Sequence, residues 1–190
     1  MKIVEIKILR GPNYWSIRRP KLIQMKLDLE EMEQKPSDKI PGFKEKLEKL
    51  LPGLYEHRCS EGVPGGFLSR VEEGTWMGHI IEHVALELQT LAGMDMGFGR
   101  TRTTGKDGEY FVVFDYMEED AGVYAAKAAF NLVSSILNDT PYNLEEDVQK
   151  LREIRENKRL GPSTGSNVEE AQKRGIPYIR LNKQSLIQLG

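Results

Sequence analysis

From Thr75 to Leu91 the apolar residues recur with the period of an α-helix, and this stretch limits the folds open to the chain. With His79 set at 0° and about 100° per residue, Met77, Ile80, Ile81, Val84, Leu88 and Leu91 gather between about 100° and 200°. A stripe of that kind must be buried against another element. Thr75 reads as the N-cap of this helix and Gly93 as its stop. The period-two alternation of residues 3–9 (IVEIKIL) predicts a half-buried strand. Residues 21–29 (KLIQMKLDL) read as a second strand pairing with the first, and residues 110–116 (YFVVFDY) as a strand with a buried character.

Further helices surround this framework. Pro41 opens the amphipathic run GFKEKLEKLL, which Pro52-Gly53 ends. Phe67 to Glu73 reads as a short helix. Residues 118–138 form an Ala-rich helix, where Ala121, Ala125, Ala128 and Ala129 permit close packing on a sheet. Asn143 caps the charged helix LEEDVQKLREIRENKR. Residues 54–59 (LYEHRC) read as short and extended, and residues 94–108 (MDMGFGRTRTTGKDG) as a loop. The expected class is α+β: a mixed or antiparallel sheet packed by several helices, with a long helix carrying the motif H-x-x-E-H. A composition break over residues 160–165 precedes a helix (NVEEAQKRG) and a short strand (PYIRL), too little for a core of its own. Residues 1–159 therefore read as a complete domain and 160–190 as the beginning of another.

Composition narrows the function classes. The 190 residues carry 27 basic and 29 acidic side chains, a formal charge of −2. That balance excludes a generic nucleic-acid-coating protein. No run approaches the roughly 18 apolar residues of a membrane span, and the opening MKIVEIKILRGPN lacks the apolar core of a signal peptide. A single cysteine excludes an internal disulfide framework and fits a reducing cytoplasm.

The chemistry is concentrated in one region. The three histidines, His57, His79 and His83, and the sole cysteine, Cys59, all fall within residues 57–83. His79-Ile80-Ile81-Glu82-His83 has the inverted zincin order. His83 lies about 40° round the helix from His79 and about 6 Å along it, so both imidazoles can reach one ion, on a face opposite the apolar stripe. Glu82, at about 300°, is placed to take a proton from a metal-bound water rather than to ligate. A catalytic zinc needs a third protein ligand. Cys59 is the first choice, with His57 as alternative ligand or supporting partner and Glu87 as a further option. On an extended segment His57 and Cys59 would share a face. Gly97-Phe98-Gly99-Arg100-Thr101-Arg102 reads either as a surface turn or as a site where Arg100 or Arg102 holds a substrate carboxylate. Tyr14-Trp15-Ser16-Ile17-Arg18-Arg19 reads as a packing edge, with a polymer-binding rim as the alternative. Glu118-Glu119-Asp120 is a helix N-terminal charge run, or a contact for a cationic substrate.

The segments LRGPNYWSIRR, KIPGFKEKLEKLLPGLYEHRCSEGVPGGFLSRVEEGTWMGHIIEHVALELQTLAGMDMGFGRTR and LGPSTGSNVEEAQKRGIPYIRLNKQSLIQLG resemble the N-terminal region of the cyanophycin synthetases. The resemblance covers essentially the whole chain. It implies a cytoplasmic, homo-oligomeric ATP-dependent ligase that extends multi-L-arginyl-poly-L-aspartate. In that family an N-terminal domain associated with holding the polymer precedes an ATP-grasp domain that adds aspartate and a Mur-ligase-like domain that adds arginine. The nucleotide-binding lysines, the magnesium carboxylates and the Mur-like P-loop have no counterpart before Gly190. Ligation, with its ATP and Mg2+, is therefore not expected of this chain alone. Zinc-dependent cleavage of the polymer backbone, yielding primers, would join the family's substrate to the H-x-x-E-H chemistry, with His57, Arg100 and Arg102 contacting substrate. The competing expectation is a domain that only tethers the polymer.

Overall fold

The computed structural model describes residues 1–19, 21–182 and 185–190. Among these residues, four strands form one antiparallel sheet in the order β1-β2-β4-β3: β1 is Lys2–Arg10, β2 Lys21–Asp28, β3 Gly99–Thr103 and β4 Glu109–Asp115. The register aligns Ile8 with Ile23, Ile23 with Phe114, and Phe114 with Gly99. The expected pairing of the first two strands is present and is antiparallel, with a bulge between Ile3 and Glu5.

Among the described residues, six α-helices accompany the sheet: α1 Phe43–Leu50, α2 Gly66–Glu73, α3 Met77–Leu91, α4 Glu119–Leu137, α5 Leu144–Lys158 and α6 Pro162–Lys173. Alternation along β2 sends Ile23, Met25 and Leu27 to one face and Leu22 and Gln24 to the other. The first set joins Val112, Phe114 and the apolar stripe of α3 in the main core. Burial of each such side chain contributes about 1.5–3 kcal/mol. On the opposite face Leu22 and Val113 are covered by Trp15. The Trp15 indole donates to Gln24 Oε1 at 2.7 Å and meets Phe111 edge-on at 5.9 Å. The Tyr14–Arg19 segment thus supplies a packing edge.

Helix α4 lies against α3 and the sheet through the expected small residues. Ala121, Ala125 and Ala129 are fully buried, and Gly122 sits so close to Tyr116 and Ile23 that a Cβ there would collide with both. Asn143 caps α5, its Oδ1 accepting from the Glu146 amide at 3.4 Å.

Several local expectations are corrected. Residues 54–59 are not extended: 3-10 turns at Pro52–Glu56 and Cys59–Glu61 flank His57. Residues 94–108 are not all loop, because β3 adds to the sheet edge on β4. Thr75 is not the N-cap of α3. Trp76 holds that position, and no side chain caps it. Helix α6 begins at Pro162, inside the composition break, since proline suits a first helical turn. Beyond it, β5 (Tyr178–Arg180) and β6 (Ile187–Leu189) form a separate hairpin. In this C-terminal stretch only Val168 and Ala171 are buried among the described residues, and neither belongs to the main core.

Candidate metal centre

The α3 helix is not half exposed, as a single apolar stripe suggested. The sheet and α4 cover one side, and the segment from Pro52 to Phe67 closes over much of the other. His83 is 7% exposed, Glu82 5% and Glu87 4%. The polar stripe therefore lines the floor of a half-open cleft of about 780 Å³ rather than an open surface.

Cys59, His79 and His83 converge there. One donor atom from each lies within 4.8 Å of the others, and Cys59 Sγ is 3.4 Å from His79 Nε2. Zinc bonds of about 2.0–2.3 Å give a tetrahedron with edges of about 3.5 Å, so the set closes on an ion with shifts of roughly an ångström. Cys59 reaches this position through a left-handed backbone, φ 49°, in the 3-10 turn that replaces the expected strand. A non-glycine residue there costs on the order of 1–2 kcal/mol, and such strain clusters at functional sites.

The surroundings suit the metal-free imidazoles to act as ligands. Burial, helped by Arg70, holds His79 down to about 4. Burial also places His83 well below its ordinary range, with His79 and His57 adding to the effect. Both rings are therefore neutral near pH 7, as metal ligation requires. Thr75 Oγ1 lies 3.0 Å from His79 Nδ1 and can accept its proton, which leaves Nε2 free to bind. Phe67 stacks on His83 with ring centroids 4.0 Å apart and meets His79 edge-on at 5.7 Å. His57 and Glu87 lie behind His83: His57 Nδ1 is 2.9 Å from His83 Nδ1, and His57 Nε2 is 3.0 Å from Glu87 Oε2.

Glu82 lines the same cavity. Burial pushes its carboxyl up to about 8, while the Thr101 hydroxyl and Arg100 act in the opposite direction. Thr101 Oγ1 donates to Glu82 Oε2 at 2.6 Å. Gly99 makes room for the carboxylate, since a Cβ at 99 would lie 2.7 Å from Glu82 Cγ. Arg100 is on β3, lines the cavity and sits 5.8 Å from the Phe98 ring. Arg102 is on the same strand but is not among the residues lining the cavity.

Sequence reasoning missed Thr101, Gly99 and Phe67. The alternation of Thr101 and Thr103 with Arg100 and Arg102 was the available signal for β3, and the glycines flanking it obscured that pattern.

The chain matches the cyanophycin synthase-like N-terminal domain over residues 24–138. It belongs to that family. Three curated relatives, each described as a cyanophycin synthetase, match along its whole length. The protein of Geminocystis herdmanii is 55% identical over 193 residues, that of Trichormus variabilis 56% and that of Synechocystis 54%. This chain spans only 21–22% of their length. Among the described residues, no helix is long and apolar enough to cross a membrane.

Proposed function

We propose that this domain binds multi-L-arginyl-poly-L-aspartate and hydrolyses its backbone at a zinc ion held by Cys59, His79 and His83. The observation that carries the reading is the convergence of these three donors in a cavity that Glu82 also lines. The relatives' name supplies the polymer class. A thiolate with two neutral imidazoles is a donor set that zinc favours, with a fourth position left for substrate or water. When bound, such an ion would acidify a coordinated water and polarise the aspartyl carbonyl. With a cation beside it to favour its ionised form, Glu82 would take the water's proton and return it to the leaving amine. Arg100 is placed to hold a carboxylate of the substrate, and Arg102 is assigned there by the sequence alone. The cavity's Glu56 and Asp95 carboxylates suit the substrate's guanidinium groups.

In the wider protein this activity would supply shortened chains as primers. Polymerisation itself would belong to ATP-grasp and Mur-ligase-like domains, with their ATP and Mg2+, outside residues 1–190. Residues 160–190 would open the ATP-grasp part. A cytoplasmic homo-oligomer is the setting that the family implies.

Elemental analysis and polymer digestion test the reading. About one zinc per chain is expected, lost in His79→Ala. Cleavage products should appear with the wild type. Glu82→Gln should keep zinc and slow cleavage by about 10²–10⁴-fold. A zinc-loaded wild type that releases no shorter chains overturns the hydrolase reading and leaves a tethering domain.

A further inference from the structure

Glu87, His57 and His83 form a hydrogen-bonded row, and the row has a direction. Two imidazole Nδ1 atoms 2.9 Å apart cannot both carry a proton, and they gain nothing if both are bare. One must donate and the other accept. The far end of the row decides which. Glu87 Oε2 lies 3.0 Å from His57 Nε2, and a carboxylate can only accept. In the neutral form of His57 the proton is then on Nε2, and Nδ1 is a bare acceptor. His83 must then hold its proton on Nδ1. The lone pair of His83 is left on Nε2.

We infer that Glu87 and His57 are positioning residues that lock His83 in the tautomer whose Nε2 can bind a metal ion. The inference rests on the zinc reading above. It goes beyond that reading by removing His57 from both the ligand set and the substrate contacts. The packing supports a fixed row rather than a passing contact. The Glu87 side chain is 5% exposed and that of His57 16%. Gly53 lets the Glu87 carboxylate approach its backbone closely, and a Cβ at 53 would collide with it. Phe67 stacks on the His83 ring and holds its plane. Carboxylate or imidazole partners behind a ligating histidine orient it and raise its basicity, and losing one weakens metal affinity by about 10–100-fold.

Imidazole nitrogen NMR on the metal-free chain tests the row without any ion. His57 Nε2 and His83 Nδ1 should give protonated-nitrogen signals, and His57 Nδ1 and His83 Nε2 bare ones. The reverse order, or a mixture of tautomers at His83, overturns the inference. Chelator competition then reads zinc affinity. His57→Leu and Glu87→Ala should each weaken it by about 10–100-fold at unchanged stoichiometry. His57→Gln, whose side-chain carbonyl can accept from His83 Nδ1–H, should recover most of the loss. Unchanged affinity in both disrupting variants overturns the inference, as does loss of all zinc in His57→Leu, which would make His57 a ligand. If the wild type binds no zinc, the hydrolase reading falls, while the nitrogen spectrum still decides the tautomer.

Discussion

Glu82 shows how much of a site is made by the residues around it. A buried carboxylate normally resists ionisation, and here one hydroxyl and one nearby guanidinium oppose that resistance. Its space exists because residue 99 has no side chain. Gly99→Ala should therefore displace Glu82 and lower stability by about 1–3 kcal/mol, measured by urea unfolding. Glu109 illustrates the opposite case. Lys26 and Lys106 both contact its carboxylate, at 2.7 Å each, and hold it down to about 2. A carboxyl depressed from about 4.5 to about 2 stabilises the fold above its unfolded pKa, and that contribution fades as pH falls through this window. Glu109→Gln should flatten the acid side of the stability profile between about pH 4.5 and 2. The two histidines and Cys59 could be singled out from residue type and spacing. Thr101 and Gly99 could not, because a hydrogen bond 19 residues long in sequence leaves no periodic trace.

At the scale of elements, α1 and α3 were readable from an apolar stripe, α4 from its small residues and α5 from its cap, whereas α6 begins earlier than the sequence pattern suggests. The segment 54–61 was not readable. Its left-handed turn at Cys59 is imposed by packing, and cysteine has no local preference that announces it. Strand β3 was hidden for a related reason: its residues alternate, but they are polar and held by pairing to β4 rather than by burial. The contact of α4 with its neighbours depends on small side chains. Ala125→Leu should overpack this layer and destabilise the fold by about 1–3 kcal/mol, read as a lower urea midpoint. Tertiary closure also changed the meaning of α3. A stripe that looked like a solvent face became a cavity wall, and this raises the cost of leaving its polar groups unpaired.

For the whole molecule, the described residues of the C-terminal stretch add nothing to the main core, because Val168 and Ala171 lie outside it. A chain ending at Arg159 should keep the urea midpoint and zinc stoichiometry of the 190-residue chain. Zinc at 100 times its dissociation constant should raise unfolding stability by about 2.7 kcal/mol, and a chelator should reverse the gain. Sequence alone determined the α+β class, the pairing of the first two strands, the helix carrying His79, Glu82 and His83, and the family. These follow from local periodicity and from residue identity, which need no knowledge of what packs where. Only the tertiary structure decided how Cys59 approaches the histidines, that His57 and Glu87 stand behind His83, and that Thr101 holds Glu82. Those relations join segments 19 to 30 residues apart, and side chains at such separations meet only when burial of the core brings their elements together.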